Sequence, residues 1–114
     1  RDLTAAAKEG NYRAQHALNM FSYACKKYVG SYMAALGGLD VIVFTAGVGE
    51  NTPHIRASIL KDMEFFGIEI DEAKNNYKND GAIHEISKDG SRVKVLVIPT
   101  NEELVIARET AALL

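Results

Sequence analysis

Val41, Ile42, Val43 and Phe44 form an unbroken run of β-branched and aromatic residues, and with no polar residue alternating through it the run predicts a strand buried on both faces, as in a parallel sheet. Such a strand needs a layer on each side. It sits within DVIVFTAGVGEN, residues 40–51, and gives way to Gly47 and Gly49, which allow positive φ and close approach of a ligand to the backbone. Thr52 and Pro53 then read as the N-cap and first position of a helix whose unpaired N–H groups point back at the loop. Strand, glycine turn and helix start together suit a phosphorylated ligand, but they also suit close packing in a tight turn. The loop lacks the third glycine of the dinucleotide fingerprint, and no Gly-Lys-Ser/Thr follows as in a Walker loop.

A second apolar run, Val93, Val95, Leu96, Val97 and Ile98, predicts another interior strand. Lys88-Asp89-Gly90-Ser91 separates it from residues 83–87, which makes the pair a hairpin. Pro99 ends the strand, and a final helix is expected over residues 100–114, with Leu104, Ala107, Ala111 and Leu114 facing inward. Upstream, residues 2–10 predict a short helix closed by Gly10. Asn11 then caps a long helix to about Leu36, with Ala14, Ala17, Leu18, Phe21, Cys25, Tyr28, Val29, Tyr32 and Leu36 on its apolar stripe. A further helix is expected over residues 53–66, with Ile55, Ile59, Met63 and Phe66 on one face and Gly67 as its stop. The asparagine-rich stretch 71–80 reads as a surface turn or frayed helix. Strands alternating with helices give an α/β architecture in which loops at the strand C-termini carry the site. With so few strands, the sheet is expected to take neighbours from elsewhere.

The formal charge of −2, with both signs mixed along 114 residues, gives no basic run or basic–aromatic alternation, and no nucleic-acid partner is expected. No apolar stretch reaches the length of a membrane span, so no membrane partner is expected either. The single cysteine, Cys25, reads as a core thiol in a protein of the reducing cytoplasm. A start at Arg1 without methionine suggests part of a longer protein. His16, His54 and His84 have no cysteine or carboxylate at metal-ligand spacing, which argues against zinc.

Chemistry-bearing side chains concentrate at the two strand ends. In IPTNEE, residues 98–103, Thr100 and Glu103 have capping-box spacing, which gives Glu103 a structural task. Glu102 is left either to hold Mg²⁺ beside a nucleotide's phosphates or to sit favourably on the helix dipole. Asn101 either caps the helix or orients a water. Glu50 and Asn51 read as ligand contacts or, equally, as an acid near a helix start and a turn former.

Taken together, VFTAGVGEN at residues 43–51, the His54-Ile55-Arg56 helix start and VKVLVIPTNEELVIA at residues 93–107 resemble the C-terminal part of the acetate kinase family. That family lies within the acetate and sugar kinase, Hsp70 and actin superfamily. The resemblance spans nearly the whole chain and implies a partial actin-like ATPase domain of the ribonuclease H-like kind, a mixed sheet with flanking helices, with residues 1–114 one truncated C-terminal nucleotide-binding domain. It also implies an ATP/ADP site with Mg²⁺, in which Gly47, Val48, Gly49, Glu50 and Asn51 form the adenosine end and Ile55 an apolar wall. Arg1 would be the arginine beside the adenine, with Arg1-Asp2-Leu3 closing the family's D-x-R element, and Glu102 the magnesium-associated glutamate.

The parent enzyme implied is a cytoplasmic homodimer that reversibly transfers the ATP γ-phosphate to acetate. The family's acetate pocket, catalytic residues and H-x-G-x-G phosphate loop precede the segment matched, so no catalytic residue is expected here and no turnover by this chain alone. Three other readings remain: a propionate or butyrate kinase, whose acyl pocket would likewise lie upstream, a non-catalytic α/β module that binds a protein through its sheet edge or long helix, and a proteolytic remnant with no activity of its own.

Overall fold

A computed structural model describes residues 2–113. Helix α1 (Asp2–Lys8) leads into α2 (Tyr12–Leu36), whose N-cap Asn11 accepts a hydrogen bond from the Ala14 N–H at 3.1 Å. β1 (Val41–Phe44) follows, then the short α3 (Ala46–Asn51) and α4 (Pro53–Leu60). After a 3₁₀ turn, Glu64–Phe66, come α5 (Glu72–Asn75), β2 (His84–Glu85), β3 (Lys94–Val97) and α6 (Glu102–Ala111).

The sheet order is β1-β3-β2, with β3 parallel to β1 and antiparallel to β2. The expected hairpin is present, since β2 pairs with β3 and the Ser91 N–H closes the turn on the Lys88 carbonyl at 3.0 Å. Register decides which side chains are buried. Ile42 faces Val95 and Phe44 faces Val97, so these share the side that packs on α2 and α4. Val41 and Val43 lie on the other side, 41% and 47% exposed. β1 is therefore covered on one face, against the expectation of two, because period-2 alternation turns every second residue toward a face that no described element covers.

Helix α2 differs from its expected stripe in the same way. Ala14, Ser22 and Met33 are buried and Leu18, Cys25 and Val29 pack against the core, while Phe21, Tyr28, Tyr32 and Leu36 are exposed. Helices α1 and α4 are the elements that pack most extensively on α2. Lys26 donates from Nζ to the Lys61 carbonyl. That bond lies where α4 stops, six residues short of the expected end: Asp62 takes a left-handed φ of 58° and the chain turns. The turn lets Ile68 pair with Val93, whose N–H reaches the Gly67 carbonyl at 2.9 Å.

At the other end, α6 buries none of its residues. Leu104, Ala107 and Ala111, expected to face inward, are exposed, and Leu114 lies outside the described residues. The helix forms where the sequence predicts it but projects from the sheet instead of packing on it. No described helix is long and apolar enough to cross a membrane.

Candidate functional site

The chain leaves β1 through Thr45, still extended, and reverses at Ala46, whose φ of 59° is left-handed. This geometry costs an alanine on the order of 1 kcal/mol and persists only where surroundings impose it. The expected positive φ thus falls on Ala46, and neither Gly47 nor Gly49 has one. Both glycines are instead helical, in α3. A Cβ at Gly49 would lie 3.1 Å from the Phe44 carbonyl carbon, whereas one at Gly47 would meet nothing within 4 Å. Gly49 is glycine for packing. Gly47 leaves backbone open to whatever enters beside it.

Two clefts meet at Gly47. The first, about 830 Å³, lies between α1 and the α3–α4 corner and is lined by Thr4, Lys8, Gly47, Val48, Asn51 and His54 among others. The second, about 470 Å³, is lined by Ala46, Gly47, Thr100, Asn101, Glu102 and Glu103. The first has the size of a small-molecule site, and the second joins it to a pair of carboxylates. Val48 is half exposed at the mouth of the first. His54, also on the first, has its pKa lowered by burial and then by the Lys8 charge, which favours a neutral ring.

The remaining site residues have other surroundings. Asn51 donates from Nδ2 to the Gly47 carbonyl at 3.1 Å and accepts from Asn79 at 2.9 Å, so its amide holds α3 together. Ile55 is buried in the core cluster beneath the first cleft and does not line it. Arg1 lies outside the described residues. Thr52 makes no side-chain cap; its hydroxyl donates to the Val48 carbonyl. Its own carbonyl takes the N–H groups of Ile55 and Arg56 at 3.0 and 3.2 Å, and Pro53 has none, so α4 offers fewer open donors than its sequence suggests.

The capping box of the last helix does not form. Asn101 is the N-cap, accepting from the Leu104 N–H at 3.0 Å. Thr100 turns away from α6, and its N–H and hydroxyl both donate to Glu50 Oε1, at 2.9 and 3.1 Å. Glu103 therefore has no capping task, and the argument that set Glu102 apart from it falls. Among the described residues no three His, Cys, Asp or Glu side chains converge on one point. A divalent ion here would meet isolated carboxylates and take its remaining ligands from phosphate and water.

Glu50's carboxyl is held below its ordinary value of 4.5, first by the Thr100 N–H. A depressed carboxyl contributes stability that is fully present above its ordinary value and is lost as pH falls through its folded value. The Glu50–Thr100 bonds are therefore expected to be strongest at neutral pH and to weaken as pH falls below 4.5 through the carboxyl's depressed value. Paired NMR titrations of the Glu50 carboxyl carbon and the Thr100 amide would show one shared midpoint; a Thr100 shift flat from pH 6 to 2 would contradict the coupling.

Sequence reasoning missed the residue that holds this corner. Arg56 is 1% exposed and forks between two elements: Nη1 donates to the Gly49 and Glu50 carbonyls at 2.6 and 3.0 Å, while Nε and Nη2 donate to the Asn75 side chain and carbonyl at 2.8 and 2.7 Å. Burial lowers its pKa and Tyr77 raises it. A cation on the closing carbonyls of α3 suits the negative end of a helix. The signal available was a lone arginine next to Ile55 and one turn before Leu60, on the buried face of a helix.

The sequence profile of the acetokinase family matches residues 1–108. The chain belongs to the acetokinase family. It is 55% identical to the acetate kinase of Caldicellulosiruptor saccharolyticus over 114 residues, all of this chain and 29% of that one. Among solved structures, it superposes on Porphyromonas gingivalis acetate kinase with a TM-score of 0.86 at 48% identity, covering 96% of this chain and 27% of that one. A propionate kinase from Francisella tularensis gives 0.80 at 38% identity, with coverage of 96% and 27%. The chain thus spans under a third of the length of the acetokinase relatives it matches. The mixed sheet with flanking helices, in an actin-like ATPase fold, stands as expected.

Proposed function

We propose that residues 1–114 form part of the nucleotide-binding domain of an acetate kinase, the enzyme that exchanges a phosphoryl group between ATP and acetate. The observation that carries this reading is Gly47's position between two clefts, one of small-molecule size and one lined by Glu102. The nucleoside of ATP or ADP would occupy the cleft between α1 and α3, against Gly47, Val48 and Asn51, with the neutral His54 ring and the Lys8 cation on its wall. The phosphates would then run past Gly47 toward Glu102. Bound Mg²⁺ neutralises phosphate charge, and Glu102 would hold it directly or through water. Glu50, Gly49 and Ile55 would serve by shaping the corner. Arg1, outside the described residues, would be the arginine beside the adenine.

In-line transfer needs acceptor, metal and positive charge gathered on the transferring group. On this reading the chain supplies only the nucleotide side, so the chain alone is expected to have no turnover. Acetate is the favoured acyl substrate because the acetate kinases of Caldicellulosiruptor saccharolyticus and Porphyromonas gingivalis, at 55% and 48% identity, share more of this sequence than the Francisella tularensis propionate kinase does at 38%. The protein of full family length would be a cytoplasmic homodimer. Calorimetry with Mg-ADP tests the reading: the chain should bind in the micromolar to millimolar range, competitively with Mg-ATP. No heat and no NMR shift around Gly47 at millimolar Mg-ADP would sink it.

A further inference from the structure

We infer that Glu50 is a positioning residue, one that ties the nucleotide corner to the segment bearing Glu102 without itself touching the nucleotide. The inference rests on the nucleotide-site reading above and assigns to Glu50 a different task from the rest of its loop. One carboxylate oxygen, Oε1, accepts both the N–H and the hydroxyl of Thr100, two residues before Glu102. Among the described residues these are the side-chain hydrogen bonds that join α3 to residues 100–103. They matter because α6 buries no residue that would otherwise fix its direction.

The other end of the tether is equally fixed. Glu50's own carbonyl and that of Gly49 take Arg56 Nη1, and the rest of that guanidinium is held by Asn75. Asn75 Nδ2 in turn donates to the Pro53 carbonyl at 2.9 Å. Bonds therefore run without a break from α5 through Arg56 and α3 to Thr100. Charge points the same way: a carboxylate facing a polyphosphate would repel it, whereas one turned onto Thr100 satisfies two donors and leaves the phosphate path to Gly47 backbone. Glu102 then inherits its position from Glu50.

The test measures ADP affinity of the chain in Mg²⁺ and in EDTA, together with hydrogen exchange at the Thr100 amide. Wild type should bind ADP more tightly in Mg²⁺. Glu50→Ala is expected to lose most of that increment, a five- to tenfold weakening matching Glu102→Ala, with metal-free affinity changed less than twofold and Thr100 exchanging at least tenfold faster. Glu50→Gln, which keeps the acceptor oxygen, should retain most of both, a rescue that also guards against misfolding of the alanine variant. Glu102→Ala should leave Thr100 protected. Equal weakening in Mg²⁺ and EDTA would make Glu50 a nucleotide contact and overturn the inference, as would an unchanged magnesium increment in Glu50→Ala. Failure of wild type to bind ADP at all is a different result, which removes the nucleotide-site reading and this role with it.

Discussion

Replacing Arg56 by leucine is expected to destabilise the chain by about 3 kcal/mol or more, a fall of roughly 10–20 °C in Tm for a domain of this size. The side chain is 1% exposed and its hydrogen bonds run to neutral oxygens, the carbonyls of Gly49, Glu50 and Asn75 and the Asn75 amide. Leucine would fill part of the space but would leave those acceptors in a closed corner with no donor, at about 1–3 kcal/mol for each left unsatisfied. Lysine brings the charge without the planar fork and cannot serve both sides at once, so Arg56→Lys should fall between the two. Native domains have only about 5–15 kcal/mol in hand, so the leucine variant is expected to be partly unfolded at 37 °C. Thermal melts by circular dichroism decide it: a drop under 5 °C for Arg56→Leu would mean that water or a local shift satisfies the carbonyls.

The placement of Arg56 illustrates what the sequence conveyed and what it did not. Apolar patterning and glycine–proline punctuation made β1, β3, the hairpin and four of the six described helices legible, because those features follow from backbone sterics within a few residues. Which face of an element is covered depends on partners distant in the chain. Val43 and Tyr28 look like core residues by composition and are exposed here because no other described element covers them. Glu50 and Thr100 are fifty positions apart, and no local pattern could have paired them. The capping box at Thr100 lost for the same reason: a distant carboxylate took the donors, and Asn101 capped the helix in its place. The glycine loop was readable as a site, but the separate tasks of its two glycines were not.

Those tasks lead to opposite outcomes for the same kind of substitution. Gly47 is helical with open space where a Cβ would go, so Gly47→Ala should leave stability unchanged or raise it by about 0.5 kcal/mol, the usual gain of alanine over glycine in a helix. At Gly49 the added methyl would lie 3.1 Å from the Phe44 carbonyl carbon and 3.3 Å from its Cβ. Neither neighbour can rotate aside, since one is backbone in the sheet and the other is fixed to it. Helix α3 would have to move off β1, pulling the Gly49 carbonyl from Arg56, and Gly49→Ala should cost about 1–3 kcal/mol. Binding reverses the ranking. Gly47→Leu should fold like wild type yet set a side chain where the two clefts meet, weakening Mg-ADP by about a hundredfold, or about 2.7 kcal/mol. Melting and calorimetry on the same samples separate the effects. A folded Gly47→Leu that binds Mg-ADP as wild type does would remove the nucleotide from this corner, and a Gly49→Ala that melts unchanged would show that the Phe44 contact yields.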